Sequence, residues 1–189
     1  MKRRAEQEAQ TRQRITESAV ELHGTLGPAR TSMKAVAEKA GVPRSTVYRH
    51  FPDEEALFGA CSAHWAAENP PPDVSRWERI DDPDKRLRTA LEELYTYYRR
   101  AGDMIDKLLR DEATVPMVAE LFAPFHDFMA AIAEILMRGR GLRGNARDRV
   151  RAAIGHAISF RTWQQLTGES RLGDEEAAEL MRRLVAAAA

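Results

Sequence analysis

Side chains suited to binding a polyanion are concentrated between Ala40 and Pro52. Two guanidinium groups, Arg44 and Arg49, carry donors that match phosphate oxygens and guanine edges, and hydroxyls stand among them, on Ser45, Thr46 and Tyr48. This stretch contains no Asp or Glu, whereas a solvent-exposed helix face usually mixes charges to form pairs four residues apart. We interpret the run as a contact surface for nucleic acid, with an ordinary solvated helix face as the alternative.

The spacing of apolar residues predicts two short helices that present this surface. Ser32 is placed to cap the first helix, with Thr31 as the alternative. Gly41 supplies the left-handed conformation that ends it, and Pro43 suits the first position of the second helix. The apolar positions of the first helix follow i, i+3, i+4 and i+7: Met33, Val36, Ala37 and Ala40.

The second helix, predicted from Pro43 to His50, turns Val47 and the following Phe51 inward and its polar residues outward. Two helices joined by a glycine turn form a helix-turn-helix unit, whose second helix fits the major groove of B-DNA. The candidate DNA-binding residues are therefore Ser32, Lys34, Arg44, Ser45, Thr46, Tyr48, Arg49 and His50.

The run from Ile15 to Trp65 resembles the DNA-binding domain of the tetracycline repressor (TetR) family. The resemblance implies a homodimeric regulator with a double-stranded DNA operator as partner and a second domain that senses a small-molecule effector. Two positions depart from the family pattern, because Pro43 stands where Ser or Thr is common and Glu54 where a phosphate-binding Lys is common. The matching residues are the AVAEKAGV run 35–42, Ser45-Thr46-Val47-Tyr48, His50-Phe51 and Glu55-Ala56-Leu57-Phe58.

The chain has 189 residues, enough for one small and one larger helical domain. No stretch alternates with period two, so we predict an all-α fold of about nine helices. The predicted parts are a three-helix helix-turn-helix domain at 1–52, a connecting helix at 53–68 and a ligand-binding and dimerisation domain at 69–189; a single domain is the alternative.

Net charge is zero, but residues 1–52 hold ten Lys and Arg against five Glu, so the remaining residues carry the acidic surplus. A basic N-terminal part on an acidic body is typical of DNA-binding proteins. With one cysteine and neither a signal peptide nor a run long enough to span a membrane, we expect a cytoplasmic protein.

No pattern indicates an enzyme, a metal site or a cofactor. The five histidines lack metal-ligand spacing, and the GxGxxG match at 139–144 follows a predicted helix, whereas a dinucleotide-binding turn follows a strand. We interpret 139–144 as a flexible loop between helices, and we expect no catalytic residues.

Aromatic residues and methionines on the later helices are candidates for an effector pocket, although plain core packing gives the same pattern. They are Tyr95, Tyr98, Met104, Phe122, Phe125, His126, Met129, Phe160 and Trp163. In the family, the last two helices form the dimer interface. The positions expected there are Val150, Ala153, Ile154, Ala157, Ile158, Arg161, Leu180 and Leu184, although burial in the protomer's own core looks identical in sequence.

These observations predict a ligand-responsive transcriptional regulator, a repressor released from its operator by a small apolar or aromatic molecule. A DNA-binding regulator that answers to a protein partner, and a helical small-molecule carrier without DNA binding, are the alternatives.

Overall fold

The computed structural model describes residues 2–189 and consists of α-helices without a strand in that range, which confirms the all-α prediction. Ten helices occur where about nine were predicted: α1 (Lys2–Thr25), α2 (Met33–Ala40), α3 (Arg44–His50), α4 (Glu54–Glu68), α5 (Val74–Glu78), α6 (Pro83–Asp111), α7 (Pro116–Met137), α8 (Gly144–Ala157), α9 (Phe160–Gln164) and α10 (Asp174–Ala187).

The chain divides into two compact units. The head unit comprises the segment ending at Pro70 together with Asp103–Phe122, and the body unit comprises Pro71–Gly102 and Ala123–Ala189. The sequence-based boundaries assign residues 103–122 to the second domain. In the structure, α6 and α7 each contribute residues to both units.

The core of the head unit is formed by the apolar faces of α1 to α4 and by the start of α7. Ile15, Val36 and Phe51 are fully buried there, and so is Val118 from the second segment. The helix-turn-helix therefore shares one core with residues that lie more than fifty positions further along the chain.

The buried Asp111 carboxylate joins the second segment of the head unit to the link between α1 and α2. The Asp111 carboxylate accepts the Ala29 backbone N–H at 3.0 Å and Nε of Arg110 at 2.7 Å. Burial opposes ionisation, but these donors hold the pKa of Asp111 below its usual value. Gly27 has φ 92°, and a Cβ there would lie 2.5 Å from a carboxylate oxygen of Asp111, so only glycine fits.

Helix α6 continues through Gly102, although glycine is a common helix end. The reason is a tertiary contact within the body unit. A Cβ at Gly102 would lie 3.3 Å from the Trp163 ring and 3.4 Å from the Phe160 ring. Gly102 thus lets two aromatic side chains approach the helix backbone instead of ending the helix.

The buried Arg86 side chain donates to four backbone carbonyls of the body unit. It is 5% exposed, and its guanidinium donates to the carbonyls of Ile80 at 2.9 and 2.6 Å, Asp81 at 3.2 Å, Ile135 at 3.1 Å and Arg138 at 2.7 Å. The last two carbonyls lie at the C-terminal end of α7, where a helix leaves backbone acceptors unpaired. Arg86 thus fixes the start of α6 to the end of α7.

Candidate nucleic-acid interface

Local hydrogen bonds hold α2 and α3 in the predicted helix-turn-helix arrangement. Ser32 Oγ accepts the Ala35 N–H at 3.2 Å, which confirms the predicted cap. Gly41 adopts the left-handed conformation with φ 65° and ψ 36°, and the Val42 N–H bonds back to the Ala37 carbonyl at 3.0 Å. This closing pattern ends α2 and aims the chain into α3.

Helix α3 buries its apolar side and exposes its polar side. Val47 and Phe51 have no exposed surface. Arg44, Ser45, Tyr48 and Arg49 are exposed and Thr46 is half-buried. The cationic face therefore lies open, as the helix-turn-helix interpretation requires.

The two arginines of α3 have no carboxylate partner among residues 2–189. Arg44 Nη2 donates to the Tyr48 hydroxyl at 3.0 Å, and its guanidinium carbon lies 5.3 Å from the centre of that ring. In the body unit, several exposed arginines form ion pairs, including Arg99 with Asp174 and Arg138 with Glu78. Unpaired guanidiniums on an open helix face are available for an anion.

The structure gives two of the other predicted contacts local partners and leaves the third, His50, partly buried. The Ser32 hydroxyl serves as the cap of α2, and Lys34 lies 3.7 Å from the exposed Glu38 carboxylate. His50 is half-buried, and its Nε2 atom is buried without a hydrogen-bond partner in the described part of the chain. The His50 ring is thus only partly open to solvent, and its contact with DNA remains a prediction.

Helix α1 adds residues beside α3 that the sequence-based site omitted. Lys2 to Gln10 form the start of this helix. A groove of about 250 Å³ lies between the N-terminal part of α1 and the last turn of α3, lined by Arg4, Gln7, Glu8, Thr11 and Arg49. The spacing of Arg4, Gln7 and Thr11 is i, i+3 and i+7, so one helical face carries all three, and this pattern was available in the sequence.

The start of α4 is acidic. Asp53 caps the helix by accepting the Ala56 N–H at 2.8 Å, and Glu54 and Glu55 follow in its first turn. These carboxylates suit the positive end of the helix dipole. They also disfavour a phosphate at this end, as expected from Glu54 in the sequence.

Cys61 and His23 form a buried polar contact in the core of the head unit. The Cys61 Sγ lies 3.2 Å from His23 Nδ1 and 3.1 Å from the Phe58 carbonyl oxygen. Burial raises the pKa of Cys61 to about 12. Burial also lowers the pKa of His23 to about 4, although the charge of Asp111 opposes this change. A neutral thiol beside a neutral imidazole makes Cys61 a packing residue, not a nucleophile.

Part of the predicted effector set forms an aromatic cluster in the body unit. The Tyr98 ring lies 5.4 Å from Phe160 and 5.8 Å from Trp163. The Tyr98 and Tyr95 hydroxyls donate to the carbonyls of Ile158 at 2.6 Å and Ala157 at 2.8 Å. Burial raises the pKa of both tyrosines.

The remaining effector candidates lie apart from that cluster or at its edge. Met129 is half-buried, with its sulfur 3.6 Å from the Tyr98 hydroxyl. Phe125 is half-buried and His126 is exposed on α7. Met104 and Phe122 belong to the head unit. The structure therefore does not bring the nine predicted residues into one unit.

Half of the predicted dimer residues are buried within the protomer. Val150, Ile154, Ala157 and Ile158 are at most 3% exposed, so they belong to the core of the body unit and not to an open face. Ala153 is half-buried and Arg161 is exposed. On α10, Leu180 and Leu184 are 38% and 51% exposed, which leaves an apolar surface on the last helix.

Within the described residues, no group of three or more His, Cys, Asp or Glu side chains is arranged to hold a metal ion. None of the helices described is both long and apolar enough to cross a membrane. The loop after α7 follows a helix and precedes a helix, so the GxGxxG match lacks the strand that dinucleotide binding requires.

Comparison with known proteins places the resemblance in the head. Residues 15–61 match the family model described as bacterial regulatory proteins, tetR family. The chain is 44% identical over 59 residues to the HTH-type transcriptional regulator AcrR of Shigella flexneri. That match covers 31% of this chain and 27% of AcrR, so it spans about a quarter of the relative's length.

Solved structures resemble almost the whole chain in fold. A TetR-like transcriptional regulator from Rhodococcus sp. RHA1 superposes with a TM-score of 0.65 at 20% identity, over 93% of each chain. A TetR transcription regulator from Haloarcula marismortui superposes with a TM-score of 0.58 at 13% identity, over 96% of this chain and 97% of that one. At these identities the likeness concerns the fold alone.

Proposed function

We propose that this chain, which belongs to the tetR family of bacterial regulatory proteins through residues 15–61, regulates transcription by binding a DNA operator as a homodimer. The open cationic face of α3 carries the proposal, because Arg44, Ser45, Tyr48 and Arg49 are exposed and the arginines lack a carboxylate partner in the part of the chain described. A helix of this kind enters the major groove with its side chains directed at base edges and phosphates.

Replacing Arg44 by alanine is expected to weaken binding by about 1–3 kcal/mol if Arg44 reads a guanine edge, with relaxed preference at one base pair. Fluorescence anisotropy on a duplex selected from a random pool by the parent protein measures the loss. The matched control is Arg88→Ala, which removes an exposed arginine from the body unit. An equal loss on every duplex would reduce Arg44 to a phosphate contact.

Binding to DNA is expected to weaken steeply as salt rises, because each neutralised phosphate releases counterions. A helical carrier without DNA binding would select no duplex and show no such slope. The same titration therefore separates the two functions.

The dimer surface is proposed on α10, around Leu180 and Leu184. Two recognition helices reach successive major grooves only if they lie about 34–36 Å apart, one turn of DNA, so operator binding requires a dimer of fixed geometry. An apolar side chain on an otherwise polar surface suits such an interface.

Replacing Leu184 by aspartate is expected to dissociate the dimer, because the interface would bury an unpaired charge. Light scattering after size exclusion measures the molecular mass, and operator affinity should fall with it. Leu121 on α7 has similar exposure, 45% against 51%, so Leu121→Asp is the matched control and should remain dimeric. If the Leu184→Asp variant keeps the mass of a dimer, the dimer interface does not include this surface of α10.

The effector is proposed to be a small apolar or aromatic molecule, and its binding would release the operator. The aromatic cluster of Tyr98, Phe160 and Trp163 in the body unit supports this class, since apolar ligands are held between such rings. Effector binding would act on the head unit through α6 and α7, because each helix continues from one unit into the other. A coupling of about 1–3 kcal/mol suffices for a useful switch.

The effector class is tested by the melting temperature of the protein with a panel of aromatic and aliphatic compounds, since a ligand that binds the folded state raises it. Compounds that raise it should also displace the selected duplex. The hydroxyls of Tyr95 and Tyr98 already bond to backbone carbonyls, which favours a second candidate in which a protein partner controls the regulator. A panel without a single hit would support that second candidate.

A further inference from the structure

Arg12 of α1 contacts the C-terminal end of α3 in two ways. Its Nη1 donates to the His50 carbonyl at 2.7 Å, across 38 residues of sequence. Its guanidinium carbon lies 4.1 Å from the centre of the Phe51 ring. His50 is the last residue of α3, and Phe51 follows it with its side chain fully buried.

These contacts act on a helix that is too short to be stable without tertiary packing. Helix α3 has seven residues, about two turns, and helices of that length depend on tertiary packing. Val47 and Phe51 anchor its buried side. They do not supply donors for the backbone carbonyls at its C-terminal end, which have no hydrogen-bond donor within the helix. A cation at a helix C-terminus satisfies a carbonyl and complements the helix dipole.

The Phe51 contact adds orientation to the hydrogen bond. A guanidinium over an aromatic face gains a cation–π interaction, which is directional because the ring and the guanidinium are planar. The Phe51 ring is held in the core of the head unit. Stacking on that ring therefore positions the Arg12 guanidinium for its hydrogen bond to the His50 carbonyl. Arg12 thus connects α1 to the end of α3 through two contacts with different geometry.

We propose that Arg12 is a positioning residue for DNA recognition: it fixes the C-terminal end of α3, and with it the register of Arg44, Tyr48 and Arg49 against the bases. This inference rests on the proposed DNA-binding function. A small rotation of α3 misaligns several base contacts at once, whereas attraction between the basic head and DNA depends on charge and not on register.

The test compares specific with non-specific binding. Affinities of Arg12→Ala and Arg12→Gln are measured for the duplex selected by the parent protein and for an unrelated duplex, each over a range of salt. We expect a loss of about tenfold on the selected duplex, similar to one mismatched base pair. On the unrelated duplex we expect a change of less than about twofold, with the slope of log affinity against log salt changed by less than about half a counterion.

Arg12→Lys is expected to give an intermediate loss, because lysine can donate to the His50 carbonyl but does not stack as a flat guanidinium does. Arg14→Ala is the matched control. It removes the same charge from the same helix, and among residues 2–189 the Arg14 side chain has no hydrogen bond or ion pair with α3. Its ratio of specific to non-specific affinity should equal that of the parent.

Two results would overturn the inference. An equal loss on both duplexes with a salt slope reduced by about one would make Arg12 a phosphate contact. Unchanged affinity on the selected duplex would leave it without a role in recognition. A merely structural role would reduce the folded fraction, and with it binding to both duplexes alike; urea unfolding of each variant measures that fraction. A parent protein that selects no duplex refutes the proposed function itself, which is a separate outcome.

Discussion

Replacing Arg86 by alanine is expected to lower the free energy of unfolding by about 3–5 kcal/mol. The guanidinium bonds to four backbone carbonyls while almost fully buried. Removing it leaves buried acceptors unpaired, at about 1–3 kcal/mol each, and creates a cavity beside them. Urea unfolding followed by circular dichroism measures the change.

Three variants separate the causes of that loss. Arg86→Met keeps most of the volume without donors, so a loss close to that of alanine assigns the effect to the hydrogen bonds. Arg86→Lys retains the charge but cannot reach four carbonyls from one point, and an intermediate loss is expected. Arg88→Ala, at an exposed position two residues further along α6, should change stability by less than about 0.5 kcal/mol. A loss below about 1 kcal/mol in Arg86→Ala contradicts the expectation.

Acidification is expected to destabilise the head unit by about 3 kcal/mol between pH 7.5 and pH 4, because burial lowers the pKa of His23 from 6.5 to about 4. Well above pH 6.5 the His23 imidazole is neutral in both the folded and the unfolded chain, so its titration does not lower the free energy of unfolding. As the pH falls below 6.5, the unfolded chain binds a proton that the folded head unit excludes. Stability therefore decreases until the pH reaches the folded pKa.

Urea unfolding at several pH values between 7.5 and 4 measures this dependence. His23→Gln has no group that titrates in this range at that position, so its stability should change much less with pH, whatever its stability at pH 7.5. The lowered pKa of Asp111 also contributes loss of stability in acid, at lower pH. If His23→Gln and the parent show the same slope between pH 6.5 and pH 4.5, the acid sensitivity belongs to the carboxylates.

The helix-turn-helix was predictable because its determinants act over three or four residues. The Ser32 cap, the left-handed Gly41 and the Asp53 cap each satisfy backbone groups nearby in sequence. The alternation of a buried Val47 with an open cationic side follows from helical spacing alone. These local rules need no information about the rest of the fold.

The features that the sequence did not reveal depend on distant contacts. Glycine is typical of a helix end, but Gly102 lies inside α6, where the absence of a side chain lets Phe160 and Trp163 pack against the helix backbone. Val150 and Ile154 form an apolar stripe that fits a partner or the protomer's own core equally well, and burial decides for the core. Arg12 is one of several arginines near the N-terminus, and only the fold brings it to His50.

The shared core of the head unit affects how this protein can be divided. Val118 is fully buried in the same cluster as Ile15 and Phe51, and Leu108, Val115 and Met117 pack against that cluster. A fragment cut after Pro70 would expose the surfaces that these residues cover, and it would lose the Asp111 carboxylate from the Ala29 amide. A chimera that joins this head unit to the sensor domain of another protein must therefore include residues 103–122 as well. During synthesis, the head unit cannot complete its core until that segment has left the ribosome.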